Sequence, residues 1–339
     1  MNRKKMMPLL LLAAGVVVLA VLLVLLQWSQ SREQQAEIPL CDFSVDAIDQ
    51  VSYRDDSVEE TLIRQDGGDW VLQGDPTLPL DQEVTGSLIE KFAALTATRQ
   101  LQPEELAEIP ARSDTPLMEF SITSGENTRT LTVDLANDVA DIYYVYDEND
   151  TVYTVTQTNL AGLCKDPKDL YKAQTLTDKT IDDVAAMQVG DLSFTQTDGT
   201  WMLTDDPDYD LDQDAVKKMA NTVCGVKTDW TITAPQADSA YGLDTPDVTV
   251  TATFTDGSEL TVRFGNLADA DTTLCYLASS GAPDLVYEAS ADYKNAFAVT
   301  RESLQATEAT AESAAEEDTI VAEHPVGGKD DYADADQEE

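Results

Sequence analysis

The chain has 339 residues, with 64 Asp plus Glu against 21 Lys plus Arg and a formal net charge of -43. That length exceeds one domain of roughly 100–200 residues, and 42% hydrophobic residues exclude wholesale disorder. The charge argues against nucleic acid as a partner, because a polyanion must be met by clustered Lys and Arg that release its counterions, and anionic lipid headgroups would repel the body as well.

The only basic cluster, Arg3, Lys4 and Lys5, lies in a stub of residues 1–5. From Met6 to Leu26 the chain carries no charge, and about 21 residues at ~1.5 Å each suffice to cross a hydrocarbon core of ~30 Å. Trp28 sits where an interfacial aromatic belongs, so a transmembrane helix is expected over residues 6–28. The positive-inside bias makes the stub cytoplasmic and the body extracytoplasmic. A cleaved signal peptide would carry a shorter apolar run, of about 7–15 residues. A lipidated Cys would follow the run directly, whereas Cys41 comes well after it. Residues 29–44 read as a linker.

The body repeats itself. With a constant offset of 131, Trp70 meets Trp201, Leu72 meets Leu203, Asp75-Pro76 meets Asp206-Pro207, and Leu80-Asp81-Gln82 meets Leu211-Asp212-Gln213. With small slips, Ile48-Asp49-Gln50-Val51 meets Ile181-Asp182-Asp183-Val184, and Asp114-Thr115-Pro116 meets Asp244-Thr245-Pro246. Further on, Leu131-Thr132-Val133 meets Leu260-Thr261-Val262, and Val152-Tyr153 meets Val286-Tyr287. Loops change length between copies while elements keep theirs.

Within each copy the hydrophobic period changes from two to 3.6 and back. Thr61 to Arg64 and Asp69 to Gln73 alternate as strands around Gly67-Gly68. Asp81 then caps a helix predicted to reach Thr96, with Val84, Leu88, Phe92 and Leu95 on its buried face. In the second copy Asp212 caps a helix to Lys227, with Ala215, Met219, Val223 and Val226 in those places. Strands follow over 117–123, 130–135, 142–146 and 152–156, and again over 248–255, 259–264, 273–278 and 285–288. The expected fold class is α+β: an N-terminal transmembrane helix, then two tandem repeats over 45–174 and 175–302, each an antiparallel sheet with one main helix. Residues 303–339, rich in Ala, Glu, Asp and Thr, read as a disordered acidic tail.

Several residues invite a chemical reading. The acids from Asp205 to Asp214 suggest a calcium loop, but a loop starting at Asp206 needs Gly at its sixth position and Glu at its twelfth, where Leu211 and Lys217 stand. Helix capping and a solvated loop explain these acids better. Trp70 and Trp201 could be ligand platforms, yet their apolar neighbours and shared repeat position fit a core. Tyr143, Tyr144, Tyr146 and Tyr153 alternate on two faces, so some are expected to be exposed and could form a binding surface. Cys41, Cys164, Cys224 and Cys275 permit disulfides Cys41–Cys164 and Cys224–Cys275, or four buried thiols. Their spacing excludes a zinc site, and the single histidine, His324, lies in the tail. With no GxSxG, HExxH or phosphate-cradling Gly-rich loop, no catalytic, cofactor-binding or metal residue is assigned.

An N-terminal anchor followed by units of the form W-x-L-x-x-x-P and a Leu-Asp helix start resembles the bacterial membrane-anchored family catalogued as domain of unknown function 4340. Trp70-Val71-Leu72 to Pro76 with Leu80-Asp81, and Trp201-Met202-Leu203 to Pro207 with Leu211-Asp212, carry the resemblance over residues 45 to 300. The resemblance implies an envelope protein found beside an ABC-type transport system and its auxiliary subunit, with no reaction and no site residues to transfer. The functional expectation is a non-enzymatic accessory protein. The alternative is a surface module that binds a wall polymer, peptide or cation.

Overall fold

Alternating runs broken by Gly and Asp turns become antiparallel hairpins. In this computed structural model, residues 37–109, 111–268 and 271–307 are described, so the span expected over 6–28 and the tail beyond 307 lie outside the described residues. Among the described residues no helix is long and apolar enough to cross a membrane. The chain divides into two units between Lys172 and Ala173.

In the first unit, β1 (Ile38–Pro39) pairs with β5 (Thr96–Ala97), while the main sheet has eight strands. Their order is β4 (Trp70–Leu72), β3 (Glu59–Arg64), β2 (Gln50–Arg54), β7 (Met118–Ser124), β8 (Asn127–Asn137), β9 (Ile142–Asp147), β10 (Val152–Thr156) and β6 (Arg99–Gln100). The second unit repeats that order with β13 (Thr200–Leu203), β12 (Leu192–Thr197), β11 (Val184–Val189), β15 (Val248–Phe254), β16 (Glu259–Ala268), β17 (Asp271–Ser279), β18 (Ala282–Ser290) and β14 (Trp230–Ile232). Each sheet is thus a three-stranded and a four-stranded meander joined through their first strands, with a short strand after the helix added at the far edge.

Helices α1 (Gln82–Ala93) and α2 (Gln213–Cys224) follow the first meander of each unit. Asp81 accepts from the N–H groups of Glu83 and Val84 at 3.0 and 3.1 Å, and Asp212 accepts from those of Asp214 and Ala215 at 3.1 and 3.0 Å. Both helices end about three residues earlier than the apolar pattern suggests, because Leu95 and Val226 are buried from the connecting segment instead. The buried face of α1 is Thr85, Leu88, Ile89 and Phe92, while Val84 is 39% exposed. A stripe at i, i+4 and i+8 leaves the edge of the buried arc undetermined, and Ile89 rather than Val84 completes it. Phe92 packs on Tyr53 and Phe120, with ring centroids 6.1 and 5.4 Å apart. Around α2, Val216, Met219, Ala220 and Val223 join Trp201, Phe194, Phe264 and Phe297 in one core.

Two of the sequence matches slip in the sheets. Leu117 N–H donates to the Val133 carbonyl and Asp247 N–H to that of Phe264, both at 2.8 Å. Val133 therefore corresponds to Phe264, two residues beyond Val262. In the same register Val51, opposite Ile122, takes the place of Met187, opposite Ala252, rather than that of Val184. The Val133 shift of two along a strand keeps every side chain on its face, and the Val51 shift of three is taken up by the bulge between Val184 and Ala186, so the hydrophobic pattern detects neither.

Each unit also closes on its own helix. Within the stretch read as linker, Ile38–Pro39 is β1 and Leu40 N–H donates to the Leu95 carbonyl at 2.8 Å, as Leu176 N–H does to that of Val226 at 3.4 Å. At the other end, the carbonyls of Leu170 and Leu304 each accept from the N–H of the capping Asp81 and Asp212 at 2.8 Å. Leu304 is buried and Gln305 bridges to Leu211, so residues read as the start of the tail belong to the folded unit.

Candidate functional site

Both tryptophans are core residues, Trp70 6% and Trp201 1% exposed. The motif around them has a further role that capping did not suggest. Gln82 Oε1 accepts from Trp70 N–H at 2.7 Å and its Nε2 donates to the Trp70 carbonyl at 3.0 Å; Gln213 does the same for Trp201 at 2.8 and 2.9 Å. The repeated Leu-Asp-Gln carried this signal, since Gln recurred beside a cap that needs only Asp.

Three of the acids between Asp205 and Asp214 have structural partners. Asp205 pairs with Arg301 at 3.3 Å, Asp206 also pairs with Arg301, and Asp212 is the cap. Among the described residues no three His, Cys, Asp or Glu side chains come together as a metal site. The tyrosines are partly covered. Tyr146 and Tyr153 are buried, and Tyr143 and Tyr144 half-buried. Leu101, Ile109 and Arg112 lie over this part of the sheet, with the Arg112 guanidinium 4.8 Å from the Tyr146 ring centroid. The segment after the helix crosses the sheet's second face, a path that strand alternation does not reveal.

All four cysteines are free thiols, with Cys41, Cys224 and Cys275 buried. Burial pushes Cys224 and Cys275 up to about 11, and burial with the nearby Asp55 carboxylate pushes Cys164 up to about 12. Thiols held neutral in this way are poor nucleophiles and poor metal ligands.

A pocket also opens on the second unit. Its volume of about 480 Å³ is floored by Val189, Leu192, Val248, Phe297 and Val299, within the ~300–1,000 Å³ usual for small-ligand sites. Two cations stand at its rim, both paired. Lys294 Nζ lies 2.7 Å from Asp247 and donates to the Gly265 carbonyl at 3.1 Å, while Arg301 is held by Asp205 and Asp206 and stacks 4.7 Å from the Tyr209 ring centroid. The hairpin turn at Gly190, in the left-handed region at φ 55°, forms one wall. No local pattern marks this pocket, because its residues come from three separated segments. In the first unit a shallower trough of about 350 Å³ runs over Ser52, Thr61, Glu119 and Thr130, where Thr61 donates to Ser52 at 2.9 Å and Arg54 pairs with Glu119.

These features define a class: a duplicated α+β protein in which each copy is an eight-stranded antiparallel sheet with one main helix, its edge strand fastened by a glutamine. The sequence profile of the family described as Domain of unknown function (DUF4340) matches residues 70–200 and again 201–321, and the chain belongs to that family. No curated protein and no solved structure matches the chain.

Proposed function

We propose that the chain is a non-enzymatic, membrane-anchored extracytoplasmic accessory protein, held in the bilayer through residues 6–28 and associated with an ABC-type transport system or its auxiliary subunit. The supporting observation is the use made of its ionisable side chains. Asp81, Asp166 and Asp212 cap helices; Asp205, Asp206, Asp238, Asp247 and Asp256 pair with cations. Acid–base chemistry instead requires a carboxylate or imidazole poised near its substrate with its pKa brought toward neutrality. The apolar run with its basic flank supports the anchor, and family membership supports the transport association by analogy. The rival reading, a wall-binding module, rests in part on exposed tyrosines, and of the four Tyr143 and Tyr144 keep part of their surface open.

Crosslinking in intact membranes followed by mass spectrometry tests the association. Recovery of a transport subunit is expected; recovery of wall material alone would overturn the proposal. Protease added to intact spheroplasts should digest the body, and a body protected until lysis would reverse the topology.

A further inference from the structure

The shared topology of the two units allows a residue-by-residue comparison, and one of their differences borders the pocket of the second unit. Tyr53 lies opposite Phe120 in the sheet, and Val189 lies opposite Val250. With Leu117 and Asp247 in equivalent places, Tyr53 and Val189 occupy the same position. Tyr53 is 1% exposed, and its hydroxyl donates to the Lys165 carbonyl at 2.9 Å. The stretch from helix cap to closing leucine is equally long in both units, Thr156 to Leu170 and Ser290 to Leu304, so Lys165 corresponds to Val299. Val189 and Val299 both line the pocket of the second unit. A phenol ring thus spans, in one copy, the two positions between which the other copy is open.

We propose that this pocket takes the phenol ring of a tyrosine presented by a protein partner, its hydroxyl directed to the Val299 carbonyl as Tyr53 is to Lys165. The apolar floor suits a ring face, and a neutral hydroxyl suits the rim. Lys294 and Arg301 are already paired, so a charged ligand would have to break an existing ion pair, whereas a phenol need not. The proposal rests on the reading of the chain as a partner-binding accessory and names the contact that would hold the partner.

The test titrates full-length chain carrying labelled methyl groups with a blocked Gly-Tyr-Gly peptide, using the Phe and Ser analogues for comparison. Shifts confined to the methyls of Val189, Leu192, Val248 and Val299 are expected, with the Phe peptide weaker and the Ser peptide silent. Val189→Tyr, which places the ring of the first unit in the second, should weaken the tyrosine peptide by about tenfold or more. Scattered shifts, or equal affinity in Val189→Tyr, would overturn the proposal. Tyr53→Val should create a second site of the same kind; should that variant fail to fold, Val189→Tyr still decides. In membranes, if wild type and Val189→Tyr capture the same transport subunit equally, the pocket proposal falls and the accessory reading stands. If wild type captures no subunit, the accessory reading falls and the peptide titration alone judges the pocket.

Discussion

Gln82 holds Trp70 by the backbone, its amide accepting the tryptophan N–H at 2.7 Å and donating to the tryptophan carbonyl at 3.0 Å. Trp70 begins the edge strand of its sheet, so the glutamine supplies the pairing that a further strand would give and blunts the edge. Gln82→Leu or Gln213→Leu leaves two main-chain groups without these partners, and each should cost about 1–3 kcal/mol in denaturant unfolding. Gln82→Glu keeps the acceptor but loses the donor and should fall between. Light scattering should show concentration-dependent association of the leucine variants; unchanged stability and a monodisperse sample would refute the edge role.

The helix faces give a second set of expectations. Phe92→Ala should cost about 3–5 kcal/mol and Val223→Ala less, in proportion to the smaller side chain. Lys91→Ala, Lys218→Ala and, given its exposure, Val84→Ala should each move stability by less than about 0.5 kcal/mol. Thr85 is fully buried, and its hydroxyl has no hydrogen-bond partner; the same helical position is Val216 in the second unit. Thr85→Val removes that desolvated hydroxyl without changing shape and should raise stability by about 1 kcal/mol. A destabilised Thr85→Val in thermal unfolding would mean that the hydroxyl is satisfied.

Two glycines should respond in opposite directions. A Cβ at Gly265 would lie 2.2 Å from the Tyr241 carbonyl, where the segment crossing the second face touches the sheet. Gly265→Ala should therefore cost about 1–3 kcal/mol. A Cβ at Gly86, within α1, meets nothing within 4 Å, so Gly86→Ala should gain roughly 0.5–1 kcal/mol from helix propensity. Calorimetry on the pair distinguishes backbone contact from glycine flexibility.

The thiols supply the pH dependence. Their folded values lie above the ordinary value of about 8.5, so the fold favours the protonated form. The stability that this contributes is fully present below about pH 8.5 and is lost as pH rises toward about 11 for Cys224 and Cys275 and about 12 for Cys164. The urea midpoint should fall over that range. Iodoacetamide at pH 8 should label the native chain slowly and all four cysteines after unfolding; two cysteines refusing label without reductant would indicate a disulfide.

Duplication, the capped helices and the strands at 142–147 and 152–156 were legible in the sequence, because caps, turns and period-two alternation are local. The register of Val133 was not, since a two-residue slip preserves the face of each side chain. Nor was the burial of Tyr146, which depends on where the segment after α1 runs, or the pocket, whose lining comes from three separated segments. What escaped was information held between segments rather than within them.

The repeat has no natural beginning, and this follows from the way the family profile and the folded units are phased. The profile runs from Trp70 to 200, while the units divide after Lys172. Residues 70–200 thus contain one strand of every type in the main sheet, with β11 and β12 standing in for β2 and β3. A nascent or refolding chain therefore carries two interchangeable hairpins for the first sheet, and the wrong choice would strand residues 37–64 while robbing the second sheet of two members. The bond from Tyr53 to Lys165 acts only when the native hairpin is chosen, because Val189 in the other hairpin has no hydroxyl to make it. It makes the pairing self-checking, in a molecule whose own second copy is its nearest decoy.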